Sequence, residues 1–359
     1  MLGNFLMFLT MFFMYAAFLV SSFLFVYRFK KFFDKKLNKY LCIIIPVVII
    51  LSIFIIRKFD VVECDVIFGH LVVIWLVLYL IINKLFKFKK LFVIDVTSLV
   101  LTIIYVFIGY YSATNVVVKN FDLVTDKDIS NLKIVQITDS HIGSTMDGVK
   151  FSNYMDDINK LNPDIVVITG DFVDDDTKYN ELIDACKGLS KLNAKYGVYY
   201  VFGNHDKAYF DLREFNTDDL RRELLNNNVT ILEDESVEVA DNVVIVGRQD
   251  KTEEDRKSII SLTQDISKDK YIIVLDHQPN DFDNEVKAGA DLVLSGHTHN
   301  GQIFPVGIFI RLVHMFDRVY GYEKRDNTNF IVSSGMGGWR VPFKTFSDSE
   351  YVVVNVSKK

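Results

Sequence analysis

The sequence predicts an α/β domain behind a bundle of about four transmembrane helices, and three observations predict it. The 359 residues have a mean hydropathy of +0.20, with 30 Phe and only 5 Pro, which is too apolar for an ordinary water-soluble chain and excludes disorder. That apolarity is confined to the first third, in four nearly uncharged runs at 5–27, 40–56, 66–82 and 91–111. Beyond them, short β-branched runs alternate with polar segments of helical period, the pattern of an α/β protein.

Each apolar run is near the roughly 20 residues that a helix needs to cross about 30 Å of hydrocarbon. The first run has no Lys or Arg before it and no small-residue cleavage pattern after it, so it reads as a retained span rather than a signal peptide. Arg28, Lys30, Lys31, Lys35, Lys36 and Lys39 follow the first run, and Lys84, Lys87, Lys89 and Lys90 follow the third. Basic loops stay cytoplasmic, which places the amino terminus and everything after residue 111 outside the cell membrane. His70 and Asp95 stand near span ends, where a polar group reaches water and needs no function. If Asp95 keeps the fourth run from inserting, three spans remain and the domain turns to the cytoplasm.

Residues 1–114 carry 12 Lys+Arg against 5 Asp+Glu, so the net −6 of the chain leaves −13 for residues 115–359. An acidic domain argues against a nucleic-acid duplex as main partner, because phosphate contacts are made by clustered Lys and Arg. Cys42, Cys64 and Cys186 form no disulfide framework, and Cys186, between Ile183 and Leu189 in a helical pattern, reads as a buried thiol. Residues 112–130 read as a linker with a short strand at Asn115 to Val118, leaving 131–359 as the catalytic domain.

Within that domain five β-branched runs each end in metal-binding residue types. Ile134 to Thr138 delivers Asp139-Ser-His141, Ile165 to Thr169 delivers Gly170-Asp171, and Val198 to Phe202 delivers Gly203-Asn204-His205-Asp206. Ile272 to Leu275 is followed by Asp276-His277-Gln-Pro, and Leu292 to Leu294 by Gly296-His297-Thr-His299. Loops at the carboxyl ends of strands in an open α/β sheet converge on one crevice, and five of the seven histidines are there. Imidazole, carboxylate and amide ligands without thiolate suit Mn, Fe or Zn. Asp139, His141, Asp171, Asn204, His277, His297 and His299 are more candidates than one ion with open positions uses, so two divalent metal ions are expected, with Asp171 as the natural bridging carboxylate. Asp174, Asp175 and Asp176 read as a solvated loop, with the alternative that one of them tunes the site. Asp276 fits equally a group supporting its neighbour His277 and a strand-end acceptor, and His314 fits a helix face or a lipid-facing lip.

The five blocks, in this order and across residues 131–356, resemble those of the calcineurin-like binuclear metallophosphoesterases. The ending, Ser333-Ser-Gly-Met-Gly-Gly-Trp339 with Pro342 and Ser349-Glu350, is similar to a membrane-anchored, bacterial-type branch of that family. The resemblance implies a two-sheet β-sandwich flanked by helices. It implies that Asp139, His141, Asp171 and His299 hold one ion, that Asp171, Asn204, His277 and His297 hold the other, and that His205 binds neither. It further implies attack by a metal-bridged hydroxide on a phosphoester or diphosphate, with His205 protonating the leaving alkoxide and Asp206 orienting that imidazole. Two positions depart from the branch pattern as the resemblance implies it: Asn300 where Gly is usual, and Lys344 where an Arg often stands, both expected to alter the substrate pocket.

The expected activity is that of a membrane-anchored phosphohydrolase, a phosphodiesterase or lipid-linked diphosphatase, with an amphiphilic, lipid-linked phosphoester as the substrate that a site near the lipid surface suits and soluble phosphodiesters such as nucleotides as the alternative. Two other readings keep the same residues: a non-catalytic metal-binding sensor or scaffold, which has no use for His205, and a cytoplasmic-facing nucleotide or phosphoprotein phosphatase.

Overall fold

In the computed structural model the described residues are 77–85, 91–207 and 213–359. They fall into two units divided between Ile108 and Gly109. In the first, residues 77–85 are helical and helix α1 (Leu91–Thr114) begins; the last six residues of α1 belong to the second unit. The spans expected at 5–27 and 40–56, and His70, lie outside the described residues, as does the third span up to residue 76. Among the described residues no helix is long and apolar enough to cross a membrane. The α1 side chains at 91–96, Asp95 included, and at 99 are outside the described set.

The inner strands of the second unit are apolar on both faces, because each sheet is covered twice, while its edge strands are partly exposed. The first sheet runs β1 (Val116–Thr125), β12 (Ser349–Lys358), β2 (Leu132–Ile137), β3 (Ile165–Thr169), β4 (Val198–Val201), β5 (Val229–Ile231). The second runs β10 (Gly321–Arg325), β11 (Thr328–Val332), β9 (Leu292–Ser295), β8 (Tyr271–Leu275), β7 (Val243–Gly247), β6 (Glu235–Ala240). One face of each meets the other: Ile134, Ile165, Val167 and Val201 pack with Ile245, Ile273, Leu275 and Leu294 in a shared core. Alternate residues point the opposite way. Val135, Ile137, Val166 and Ile168 are covered by α2 (Gly148–Asn159), α3 (Tyr179–Leu189) and α4 (Thr217–Asn226). Val244, Val246, Ile272 and Val274 are covered by α5 (Ile259–Thr263) and α6 (Phe282–Ala288). The two-sheet fold that the resemblance implied is the fold observed.

The expected linker is different in kind. Its strand runs the ten residues Val116–Thr125, parallel to β12 from Val116 opposite Ser349 to Thr125 opposite Lys358. The polar Lys119, Asn120 and Asp122 suggested a loop, yet Phe121 and Leu123 alternate inward onto the shared core while those polar residues face solvent. Cys186 is buried in α3, as its pattern predicts.

Candidate metal centre

The carboxyl ends of β2, β3 and β4 in one sheet meet those of β8 and β9 in the other. Just beneath, the buried Gln136 side chain spans the seam, its Nε2 donating to Thr169 Oγ1 and to the Ser295 carbonyl at 2.9 Å each. The loops above bring two sets of donor atoms together. Asp139, His141 and His299 form one: His141 Nε2 and His299 Nε2 are 3.1 Å apart, and His299 Nε2 is 3.4 Å from Asp139 Oδ1. Asp171, His277 and His297 form the other, with His277 Nε2 3.1 Å from Asp171 Oδ2 and 3.2 Å from His297 Nδ1. Asp171 Oδ2 also lies 3.9 Å from His141 Nε2, so this carboxylate stands between the two sets. Six of the seven expected ligands are thus convergent. The seventh, Asn204, has a buried Oδ1 with no hydrogen-bond partner, an atom with an unused lone pair.

Local backbone geometry shows what this convergence requires. Asp139, His141, Asp171, His297 and His299 all have left-handed φ, between 41° and 67°. Each such residue costs about 1–3 kcal/mol, and strain of this kind persists only where surrounding structure enforces it. Small residues admit the carboxylates. A Cβ on Gly203 would sit 2.3 Å from Asp171 Oδ1, and one on Gly296 2.1 Å from Asp139 Oδ2.

The electrostatics of the cluster suit cations. Burial, then the neighbouring His141 charge, holds His299 well below the usual imidazole range, and burial with His277 lowers His297 to about 4, so both are neutral bases with free lone pairs. Burial works to raise Asp171, but His277, His205 and His141 outweigh it and hold the carboxylate ionised. Asp139 is raised, chiefly by burial. Imidazole nitrogens facing each other at hydrogen-bond distance, two buried carboxylates and a buried amide oxygen without a partner are donor types that fit two divalent metal ions without thiolate.

His205 is 12% exposed at its side chain and sits beside the cluster, its ring 5.8 Å from that of Trp339. Its orienting partner is not Asp206. The Asp206 carboxylate is buried and accepts from the backbone N–H groups of Phe172, Val173 and Gly203 at 2.8–3.1 Å, bracing the loops after β3 and β4. Instead Asp175 Oδ2 lies 3.2 Å and Asp174 Oδ1 3.6 Å from His205 Nδ1, and Asp174 Oδ2 lies 3.3 Å from His141 Nδ1. Asp174 and Asp175, expected in a solvated loop, are therefore buried parts of the site. The acidic triplet looks solvated in one dimension, but Phe172 and Val173 enter the core beside it and draw the first two carboxylates inward.

Other expectations resolve as follows. Asp276 accepts from Arg248 Nη1 at 2.8 Å and from Arg256, a buried ion cluster behind His277. His314 is exposed, just after α7 (Val306–Leu312). Lys344 does not face a substrate: it is fully buried, and its ammonium donates to the carbonyls of Ser334 (2.8 Å) and Gly335 (3.0 Å).

Residues 132–301 match the calcineurin-like phosphoesterase family. An uncharacterized metallophosphoesterase of Campylobacter jejuni is 33% identical over 271 residues, covering 73% of this chain and 70% of the relative. An uncharacterized metallophosphoesterase of Helicobacter pylori is 30% identical over 252 residues, 67% of this chain and 64% of the relative. A Bos taurus transmembrane protein with metallophosphoesterase domain is 29% identical over 239 residues, 62% of this chain and 52% of that protein. The chain thus spans between about half and seven-tenths of the length of these relatives.

Proposed function

This chain belongs to the calcineurin-like metallophosphoesterases, and from that membership we propose that it is a membrane-anchored phosphodiesterase or diphosphatase acting on lipid-linked phosphoesters at the outer face of the membrane. A dimetal phosphoesterase is the coarse activity; the anchor and the lipid-linked substrate are the finer reading, supported by the four apolar runs of the first 111 residues and by likeness to a relative described as transmembrane. The observation that carries the reading is the convergence of two ligand sets on Asp171.

In this reading Asp139, His141, Asp171 and His299 would hold one cation, and Asp171, Asn204, His277 and His297 the other. When bound, two divalent cations neutralise phosphoryl oxygens and acidify water. The protein's own groups do the rest. Asp175 at Nδ1 leaves Nε2 of His205 as the nitrogen that gives a proton to the leaving oxygen. Burial opposes charge on His205, but Asp175, Asp171 and Asp174 raise it to about 9, so it is protonated at neutral pH. Asp174 Oδ2 stands 3.3 Å from the opposite nitrogen of His141, where the partner of a metal ligand belongs.

The test is the full chain in detergent with Mn²⁺ and an aryl phosphodiester. Turnover is expected, with His205→Ala losing it while keeping both metals and Asp171→Ala losing metal as well. A wild-type chain that binds two metals and hydrolyses no phosphoester on a broad panel would make the site a scaffold.

A further inference from the structure

The mouth of the metal centre carries an apolar lip that the hydrolytic chemistry does not use. It begins at Asn300, one residue beyond His299, runs through α7, and is met from the other side by Phe346. Phe304 is 43% exposed, Ile308 47%, Phe309 59%, Leu312 73%, Met315 55% and Phe346 81%. Between α7 and Phe346 lies a groove of about 280 Å³ lined by Phe304, Ile308, Arg311 and Phe346 among others. At 100° per residue, the exposed apolar positions of α7 and Val313 sweep roughly half the helix circumference, a stripe as wide as one that normally faces a protein core.

The lip is firmly built. The Gln302 side chain donates to the Trp339 carbonyl and accepts from the Trp339 N–H, both at 2.9 Å, and Thr345 N donates to the Gln302 carbonyl at 2.9 Å. Phe304 N donates to Thr345 Oγ1 at 2.7 Å. Both segments are also free of negative charge. Of the 46 Asp and Glu in the chain, none falls in 300–316 or 339–346, which contain Arg311, Arg340 and Lys344, although residues 115–359 carry −13 overall.

We propose that this lip is a lipid-binding surface, in which α7 and Phe346 dip into the headgroup and upper acyl layer of a bilayer and bring the metal centre to the level of the headgroups. A half-apolar helix face with Arg311 at its rim matches an interfacial helix, which settles about 5–10 Å into the headgroup boundary. Local absence of carboxylates on an acidic domain removes the repulsion that an anionic membrane would exert.

The test uses the full chain with Cys42 and Cys64 replaced by Ala and the buried Cys186 left in place. A single Cys at Phe309 or at Phe346 carries an NBD fluorophore, and the protein is reconstituted in phosphatidylcholine vesicles with and without phosphatidylglycerol. Leu225→Cys, on α4 and 55% exposed in the native residue, is the control. Blue-shifted emission at 309 and 346, quenched by doxyl-labelled lipids, with water-like emission at 225, is the expected result. Arg311→Glu should weaken the quenching in the anionic vesicles. Water-like emission at both lip positions overturns the proposal, as does equal quenching at all three. A shift that follows protein density and ignores doxyl lipid means that a second chain covers the lip, and overturns it too. None of these readouts requires turnover.

Discussion

Gly170→Ala isolates the close packing that lets the second ligand set form. Gly170 has φ +87°, and a Cβ there would lie 2.6 Å from both the Gly203 amide nitrogen and His277 Nδ1, and 2.8 Å from Gly203 Cα. The backbone cannot yield, and His277 Nδ1 is held against the Thr169 carbonyl at 2.8 Å. Left-handed φ on Ala costs about 1–2 kcal/mol, and overpacking adds about 1–3 kcal/mol. Gly289→Ala supplies the control: φ is +80°, but no atom lies within 4 Å of the added Cβ, so only the conformational cost remains. For a domain of this size each kcal/mol moves Tm by about 2–4 °C, so Gly170→Ala should fall below Gly289→Ala by roughly 2–12 °C. Thermal unfolding of the full chain, with metal content measured on the same samples, gives both readouts: Gly170→Ala should be metal-depleted and Gly289→Ala replete. Equal Tm losses with full metal in both variants would refute the argument that the β3 glycine makes room for His277.

Three further predictions bear on the site. Elemental analysis of the purified chain should give two divalent ions, and a chelator should lower Tm, since each ion present at 100- to 1,000-fold over its Kd adds about 3–4 kcal/mol. Asp175→Asn should reduce kcat about 10- to 100-fold with metal content unchanged, whereas Asp206→Asn should destabilise the fold by about 1–3 kcal/mol through the three backbone N–H groups it leaves poorly served; paired kinetics and denaturation separate the two, and the reverse pattern would return the orienting role to Asp206. Burial lowers Lys344 to about 8, below the roughly 10.4 of a free lysine. Between those values the unfolded chain binds more protons, so stability should rise with pH from about 8 to about 10, by about 2–4 kcal/mol. Denaturation of wild type against Lys344→Met across that window measures it, and parallel curves would show that Lys344 titrates normally.

Much of the site is legible in one dimension because ligand chemistry is local. A strand that must end at a metal needs Asp, Asn or His within a few residues of its last β-branched position, and β2, β3, β4, β8 and β9 all end that way. Strands buried on both faces likewise declare themselves as short continuous apolar runs. Other assignments depend on which side chains share a neighbourhood, and adjacency in sequence misleads there. Asp206 follows His205 but turns away to brace the loop backbones, while Asp175, thirty residues upstream, reaches the imidazole. Strand β1 puts its adjacent polar residues Lys119 and Asn120 on opposite faces, so its membership in the first sheet becomes visible once β12, more than two hundred residues later, is beside it. Lys344 reads in sequence as a residue of the substrate pocket, but the fold closes over it and supplies two carbonyls. Sequence alone determines residue type and period, and with them the kinds of ligand and the α/β class; the pairing of carboxylate with imidazole is decided only by tertiary structure, because it is a distance across the seam between elements that no local rule encodes.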